Sequence, residues 1–247
     1  MGKPYVAMIR LKDDVHFGTI PMLEGDISGT YPFYHKVRQG SILKLSANTQ
    51  RQRVLFFVSG SVVFQQDETK YTFNEKGSII PDPAKDLDIY TEADSVIFEI
   101  SWDLTEADHV ELAQKPPKYP ILQKYSDCAR YTEYFKSDRT ISRTVVAHGI
   151  LPRFSMGSNE AEENDRVEIN NHPSIDQYFF SFPDNDVTLL IEERKIAFKG
   201  NTLLHVPLGA NHGVEIGPGQ KMHYLWIDFI VDEEGMRYLD TIHTPLP

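Results

Sequence analysis

Short runs of apolar residues, each closed by turn-forming residues, recur along most of the chain. The clearest runs are VLFFVSG, SVIFEISWD, QYFFSFPDND, VTLLIEE, KIAFKGNTLLHVP and HYLWIDFIVD. Val, Ile, Phe and Tyr dominate these runs, and Gly, Pro, Asn or Asp separates them at intervals of roughly ten residues. This pattern predicts an antiparallel β-sandwich or β-barrel. Helical periodicity is scarce, and TEADHVELAQK at 105–115 is the best candidate for a short helix.

The two halves of the chain resemble each other. VLFFVSG at 54–60 aligns with QYFFSFP at 177–183, and KGSIIPDPAKDLDIY at 76–90 aligns with KGNTLLHVPLGANHGVEI at 199–216 if three residues are inserted. Self-similarity at a period of roughly 120 residues is typical of a duplicated domain. The proline-rich stretch AQKPPKYPILQKYSD between the copies is predicted to be the linker. The alternative is that two β-rich segments share only their strand composition.

Composition excludes several classes of function. The chain has 247 residues, 40% of them hydrophobic, and a formal net charge of -11, so neither nucleic acid nor an anionic membrane is expected as a partner. Cys128 is the single cysteine, which rules out an intrachain disulfide and a cysteine-based metal cluster. The N-terminal residues lack the apolar segment of a signal peptide. A cytoplasmic location is therefore predicted.

The second copy carries the residues of a known motif. Its turn reads Gly, then Pro-x-Gly-x-x-His, and it resembles the second motif of the cupin superfamily, whose fold is a double-stranded β-helix or jelly-roll barrel. The first cupin motif is matched in part, with Asn170 in place of its first histidine. The matched positions are Gly200, Pro207, Gly209 and His212 in the second motif, and His172, Gln177 and Asp184 in the first.

The resemblance implies an all-β fold class with two tandem cupin barrels. The sequence is accordingly divided into an N-terminal extension at 1–33, a degenerate barrel at 34–104, a linker at 105–135, a metal-site barrel at 136–231 and a C-terminal tail at 232–247. Cupin proteins commonly pair through their barrel edges, so a homodimer is expected.

Strand alternation and the cupin motif together indicate a metal site in the second barrel. Glu168, Asn170 and His172 alternate along one segment, so they are predicted to share the face that a cupin turns inward. The resemblance implies that His172 and His212 supply nitrogen ligands and that Gln177 supplies an oxygen. Asn170 or Glu168 would complete the set, and a divalent Mn, Fe, Ni, Co or Zn ion suits these donors. The alternative is a dry barrel with hydrogen-bonded histidines.

The first copy lacks the same residues. Val54 stands opposite Gln177, Asp86 stands opposite His212, and no histidine lies between Gly40 and Glu106. The first barrel is therefore predicted to be structural.

The stretch at 138–182 resembles the metal-binding half of the two-barrel uronate isomerases that act on 4-deoxy-5-ketouronate and 5-deoxyglucuronate. This resemblance implies a metal-dependent isomerase or lyase acting on a small sugar acid or related carboxylate. Glu168 would be the base, and Tyr224 or His223 the acid. Two alternatives stay open at this point, an Fe(II) dioxygenase and a catalytically inactive ligand-binding or scaffold protein.

Overall fold

The computed structural model describes residues 6–12 and 14–246, and its secondary structure is 56% strand and 9% helix. The predicted all-β fold class is confirmed. The strands are β1 (Met8–Arg10), β2 (Gly18–Pro21), β3 (Thr30–Val37), β4 (Ile42–Leu45), β5 (Arg51–Gln66), β6 (Thr69–Phe73), β7 (Gly77–Ile80), β8 (Leu87–Asp103), β9 (Ile121–Lys124), β10 (Arg130–Thr132), β11 (Ile141–Leu151), β12 (Phe154–Ala161), β13 (Asp165–Asn170), β14 (Ile175–Ser181), β15 (Asp186–Ile191), β16 (Arg194–Lys199), β17 (Thr202–Val206), β18 (His212–Ile216), β19 (Met222–Ile230) and β20 (Thr244–Pro245).

Two short α-helices and a 3₁₀ turn (Tyr125–Asp127) accompany the strands in the described residues. Helix α1 (Glu106–Gln114) matches the helix predicted at 105–115, and it begins at a capping box in which Thr105 and Asp108 bond each other's backbone N–H groups. Helix α2 (Glu233–Ile242) lies in the segment predicted to be a tail, and Asp232 caps its N-terminus. Among the described residues, no helix combines the length and apolar character that spanning a bilayer requires.

The chain divides into two compact units. The N-terminal unit holds residues 14–128, and the C-terminal unit holds the described residues of 6–12 and 129–246. The sequence-based division differs, because it assigned 1–33 to one extension and 105–135 to a linker, whereas the boundary between the units follows residue 128. In the structure β1 belongs to the C-terminal unit, whereas β2 and β3 belong to the N-terminal unit. Residues 1–5, 13 and 247 lie outside the described residues.

The C-terminal unit consists of two sheets of the jelly-roll type. One sheet has eight strands in the order β1-β17-β14-β19-β12-β11-β10-β20, and the other has four in the order β13-β18-β15-β16. Apolar side chains from both sheets form one core, because alternate residues of each strand point inward. The largest members of that core include Phe135, Phe179, Phe198, Tyr224 and Trp226.

A β-bulge interrupts β13 where it pairs with β18. Val167 pairs with Val214 and Asn170 pairs with His212, so the register shifts between these two pairs. Val167 and Asn170 are both buried, whereas Glu168 and Ile169 between them are exposed. The extra residue of a bulge breaks the alternation of inward and outward side chains. The bulge therefore decides which residues of this strand reach the interior.

The N-terminal unit is built around two long, bent strands. β5 and β8 have 16 and 17 residues, and their pairing shifts register three times between Phe57 and Val62. Gly60 lies in this region with φ at +106°, and a Cβ there would lie 2.3 Å from Ser95 Oγ. Only glycine adopts this conformation without strain or steric overlap. Gly60 therefore lets both strands turn around the core.

We expect Gly60→Ala to lower the free energy of unfolding by about 3 kcal/mol or more, because it adds an unfavourable φ to a steric overlap. Gly40→Ala is the matched control. Gly40 has φ at +74° with no atom within 4 Å of an added Cβ, so we expect it to cost about 1–2 kcal/mol. Urea unfolding followed by circular dichroism measures both values. Equal losses for the two variants would contradict the role given to the bend.

Candidate functional site

A narrow cavity inside the C-terminal unit brings together many buried polar side chains. Its empty volume is about 390 Å³, including the space open to solvent. All four predicted metal ligands line this cavity. The lining residues that carry its chemistry are Glu133, Lys136, Asn159, Asn170, His172, Gln177, His212, Tyr224, Asp228 and His243.

His172 and His212 lie side by side in the cavity. Their ring centroids are 5.0 Å apart and their planes meet at 22°. His212 Nδ1 lies 3.0 Å from the carbonyl oxygen of Ala210, to which it donates, and this leaves Nε2 as the atom with the lone pair. A backbone carbonyl that holds one ring nitrogen in this way is a common feature of metal-binding histidines. His172 Nδ1 is buried and has no hydrogen-bond partner in the described residues.

The separation of the two rings agrees with two ligands of one ion. With metal–nitrogen bonds of about 2.1 Å, an imidazole centroid lies about 3.2 Å from the ion, so ligands at 90–110° have centroids about 4.6–5.3 Å apart. The observed 5.0 Å lies in this interval. Burial lowers the pKa of both rings, and His172 is lowered further by His212. Both imidazoles are therefore neutral at pH 7, which is the protonation state that binds a metal.

Two amide side chains add oxygen donors to the imidazoles. Asn170 donates from Nδ2 to the carbonyl oxygens of Glu168 and His212, and its Oδ1 is buried without a partner among the described residues. Gln177 donates from Nε2 to Asp228 at 2.7 Å, which leaves its Oε1 for another contact. The donor types therefore fit a divalent ion.

In the described part of the chain, no group of three or more His, Cys, Asp or Glu side chains is arranged to hold a metal. A metal at the two histidines would therefore need the amide oxygens.

The sequence did not reveal the buried ion pair that lines the cavity. Lys136 pairs with Glu133, and it also donates to Asn159 Oδ1 at 2.7 Å and to Ser142 Oγ at 3.1 Å. Burial opposes the charge of Glu133, but the ammonium of Lys136 and a contact with His243 outweigh it and lower the pKa of Glu133 to about 2. Burial lowers the pKa of Lys136, and Glu133 counteracts that effect. The pair is charged, and the Lys136 ammonium has three acceptors.

Asp228 is the second acid that the sequence analysis missed. It lies in the middle of β19, opposite Gln177, and burial raises its pKa to about 7 despite the hydrogen bond from that amide. A carboxyl group with this pKa exchanges its proton near neutral pH. A lone acid in the largely apolar run MHYLWIDFI was the signal that could have identified it. For Glu133, no pattern in the sequence indicated burial, although the structure buries residues 131, 133 and 135 in alternation.

The structure corrects the position of Glu168, which was predicted to face the barrel interior beside Asn170. Its side chain is 54% exposed, forms an ion pair with Arg166, and does not line the cavity. The bulge is the physical reason, because it places 167 and 170 inward and leaves 168 outward. Glu168 is therefore not placed to act as the base inside this cavity.

The two adjacent candidates for the acid separate as strand alternation requires. Tyr224 lies in the cavity, where its hydroxyl accepts a hydrogen bond from Asn159 Nδ2 at 3.1 Å, and burial raises its pKa. His223 points to the opposite face of β19, where its Nδ1 lies 2.8 Å from Asp184. Tyr224 is therefore the one of the pair that can reach a molecule in the cavity.

Two residues of the first copy stand opposite His212 and Gln177 of the second copy. Asp86 accepts a hydrogen bond from the backbone N–H of Ala47 at 2.8 Å, and Val54 is buried among apolar side chains.

Comparison with solved structures identifies the fold. A protein from Pseudomonas aeruginosa described as glyoxylate-induced has a TM-score of 0.76 and 12% identity, over 94% of this chain and 90% of its own. Oxalate decarboxylase from Bacillus subtilis has a TM-score of 0.69 and 12% identity, over 94% and 79%. A cupin 2 conserved barrel domain protein from Leptotrichia buccalis has a TM-score of 0.59 and 14% identity, over 93% and 99%.

These likenesses show that the chain has the fold of cupin proteins. No protein-family model matches the sequence, and no curated protein sequence matches it either.

The Glu133–Lys136 pair makes the free energy of unfolding depend on pH in the acid range. The folded-state pKa of Glu133, about 2, lies below its ordinary value of 4.5. The stabilisation is therefore complete above pH 4.5 and is lost as the pH falls towards 2. We expect Glu133→Gln to lower the free energy of unfolding at pH 7 by about 3–5 kcal/mol, because it leaves a buried ammonium uncompensated.

Urea unfolding at a series of pH values tests this expectation, and the loss caused by Glu133→Gln should shrink between pH 4.5 and 2. Glu168→Gln on the exterior is the control and should change stability by less than about 0.5 kcal/mol. A loss for Glu133→Gln that stays constant down to pH 2 would contradict the assignment.

Proposed function

We propose that the chain is a metal-dependent bicupin enzyme, an isomerase or lyase that acts on a small sugar acid or a related carboxylate. The observation that supports this proposal is the cavity in which two neutral imidazoles, 5.0 Å apart, face two amide side chains with free oxygens. Proton-exchanging groups line the same cavity. The fold is shared with oxalate decarboxylase from Bacillus subtilis, whose centres contain Mn(II).

His172, His212, Gln177 and Asn170 would hold the ion. An ion bound there, whether Mn, Fe, Ni, Co or Zn, would polarise a carbonyl or hydroxyl oxygen of the substrate. All four donors are uncharged, so the site keeps the full positive charge of the ion. That charge favours an anionic substrate such as a carboxylate.

Asp228 and Tyr224 are the residues we propose for moving protons. The pKa of Asp228, about 7, lets it take a proton from carbon or return one at neutral pH. Tyr224 keeps its proton because burial raises its pKa, and Asn159 fixes its hydroxyl, so it can donate a hydrogen bond to a substrate oxygen. Glu133 and Lys136 neutralise each other beside them, so they add no net charge to the cavity.

One observation favours a second function, binding without chemistry. Asn170 and Gln177 are neutral amides at positions where the cupin motif has a histidine and a glutamate, and this loss of charge weakens the hold on an ion. The aromatic rings of Phe179 and Trp226 line the cavity and are compatible with the Fe(II) dioxygenase alternative. The metal content and turnover of the purified protein distinguish the metal-dependent enzymes from a protein that binds without chemistry.

We further propose a homodimer in the cytoplasm, with a small molecule as the partner of the cavity and neither nucleic acid nor membrane as a ligand. The net charge of -11 supports the exclusion of polyanions. The edge strands of the two eight-stranded sheets support pairing between copies.

Removing His212 should empty the metal site. We expect protein purified without chelators or metal-affinity resin to contain about one equivalent of a transition metal, and His212→Ala to contain less than about a tenth of that, because one of only two strong donors is gone. Inductively coupled plasma mass spectrometry measures the content. Asp86→Ala in the N-terminal unit is the control and should keep the full content.

The fold of the His212 variant should survive, with a stability loss of about 0.5–3 kcal/mol. Comparable turnover of a sugar acid by His212→Ala and the parent would refute the metalloenzyme proposal and favour the binding function.

Replacing Asp228 should stop proton transfer without emptying the site. We expect Asp228→Asn to lower kcat by about 10²–10⁴-fold, the usual effect of losing a general acid or base, while metal content stays near that of the parent. The assay is loss of the α-deuteron from a labelled uronate, followed by NMR. Asp176→Asn on the outer face of β14 is the control. Unchanged exchange in Asp228→Asn would remove this residue from the mechanism.

A further inference from the structure

A chain of hydrogen-bonded side chains crosses four strands of the N-terminal unit, which the sequence analysis interpreted as structural. Thr19 Oγ1 lies 2.9 Å from His35 Nδ1, His35 Nε2 lies 2.8 Å from Glu99 Oε2, and Arg53 Nε donates to Glu99 Oε1 at 2.7 Å. These residues come from β2, β3, β8 and β5. They lie on the same sheet face as the core residue Leu55, because Leu55 pairs directly with Glu99.

Glu99 is the centre of this chain and is fully engaged. It is 3% exposed, and both carboxylate oxygens accept hydrogen bonds. Burial alone would raise its pKa, but His35 and Arg53 outweigh that effect and lower it. A buried anion with two donors is a rigid anchor. Glu99 therefore fixes the orientation of the Arg53 side chain through its bond to Nε.

Arg53 lines a small pocket, and the two terminal nitrogens of its guanidinium have no hydrogen-bond partner among the described residues. Within the described ranges, the hydrogen bond from Nε to Glu99 is the one that this side chain makes. Its side chain remains 20% exposed. The pocket has about 240 Å³ of empty volume, including the space open to solvent, and lies between the segments 46–51 and 81–85; its lining residues are Ser46, Asn48, Arg51, Arg53, Pro81, Asp82, Pro83 and Lys85.

The other two cations of the pocket are also paired with carboxylates. Arg51 pairs with Asp103 at 3.1 Å and lies over the ring of Tyr31 at 3.6 Å. Lys85 pairs with Asp67 at 2.6 Å and, more distantly, with the lining residue Asp82 at 3.8 Å. The lining therefore carries three cationic side chains and one carboxylate, in a chain with a net charge of -11.

We propose that this pocket is a second ligand site and that it binds a small carboxylate on the two terminal nitrogens of Arg53. A fork of two parallel N–H donors matches the two oxygens of a planar carboxylate, and an anchored guanidinium loses little entropy when it binds one. Ser46 and Asn48 provide further polar groups at the rim. Asp82 at the same rim disfavours a dianion such as phosphate.

This site is independent of the cavity at His172 and His212, so it goes beyond the proposed function. Its ligand shares a chemical class with the proposed substrate. A carboxylate bound here would occupy a barrel that lacks the residues for the reaction.

The test is a titration of the full-length ¹⁵N-labelled protein with sodium acetate and, in a second arm at equal ionic strength, with inorganic phosphate. The arginine Nε–Hε signals report binding by NMR. We expect a saturable shift of the Arg53 signal with acetate and a response at least tenfold weaker with phosphate. Phosphate binding equal to or tighter than that of acetate, or the absence of saturation with acetate, overturns the proposal.

Variants separate this site from the rest of the protein. Arg53→Lys retains the charge beside Glu99 but cannot form the two parallel bonds, so we expect acetate to bind at least tenfold more weakly, as followed through the remaining signals of the pocket. Arg166→Gln, an exposed arginine in the C-terminal unit, and His212→Ala should both bind acetate like the parent. Equal affinity of Arg53→Lys and the parent would overturn the assignment whatever the outcome of the metal analysis.

Discussion

A β-strand presents its side chains alternately to two faces, and this constraint places most of the interior groups of both units. In the C-terminal unit, alternation along β14 and β19 turns Gln177, Tyr224 and Asp228 towards the same cavity. In the N-terminal unit, it aligns His35, Glu99 and Arg53 on one sheet face. Where a bulge breaks the alternation, as between Val167 and Asn170, the composition of the cavity changes with it.

Both units bury charged side chains in their interiors, and in each unit ion pairs and hydrogen bonds compensate the buried charge. Lys136 has three acceptors, and Glu99 has two donors. The desolvation cost of a buried ion is tolerable only under these conditions. The units differ in the polar groups that remain available to a ligand. The C-terminal cavity keeps neutral donors with free lone pairs, whereas the N-terminal pocket keeps the donor end of a guanidinium.

Much of this arrangement could be read from the sequence, because it depends on local patterns. Strand composition with turn residues identified the fold class, and the Pro-x-Gly-x-x-His turn together with the spacing of His172 and Gln177 identified side chains that line one cavity. The errors have physical causes. Glu168 was misplaced because a bulge is a feature of backbone pairing between distant strands, and neighbouring residues do not encode it.

The missed residues belong to segments whose role depends on long-range contacts. Glu133 and Lys136 stand in a stretch that was taken as a linker and the start of a barrel, yet Lys136 forms a bridge with Val167 and closes one side of the cavity. His35 precedes the histidine-free stretch between Gly40 and Glu106, and its strand enters the core of that unit through pairing with β8. The sequence pattern of these segments therefore does not predict their long-range contacts.

The pairing of β1 with β17 gives the C-terminal unit an unusual dependence on chain order. Met8 pairs with Leu204, so one sheet receives its edge strand from the opposite end of the polypeptide. In the sequence, the entire N-terminal unit separates these two strands. During synthesis, β1 emerges long before the strand it completes, and loop closure across that distance delays the last step of sheet assembly. A fragment that starts after the N-terminal unit would leave the hydrogen-bonding edge of β17 bare and open to association with other chains. The three-residue strand β1 thus protects the hydrogen-bonding edge of β17.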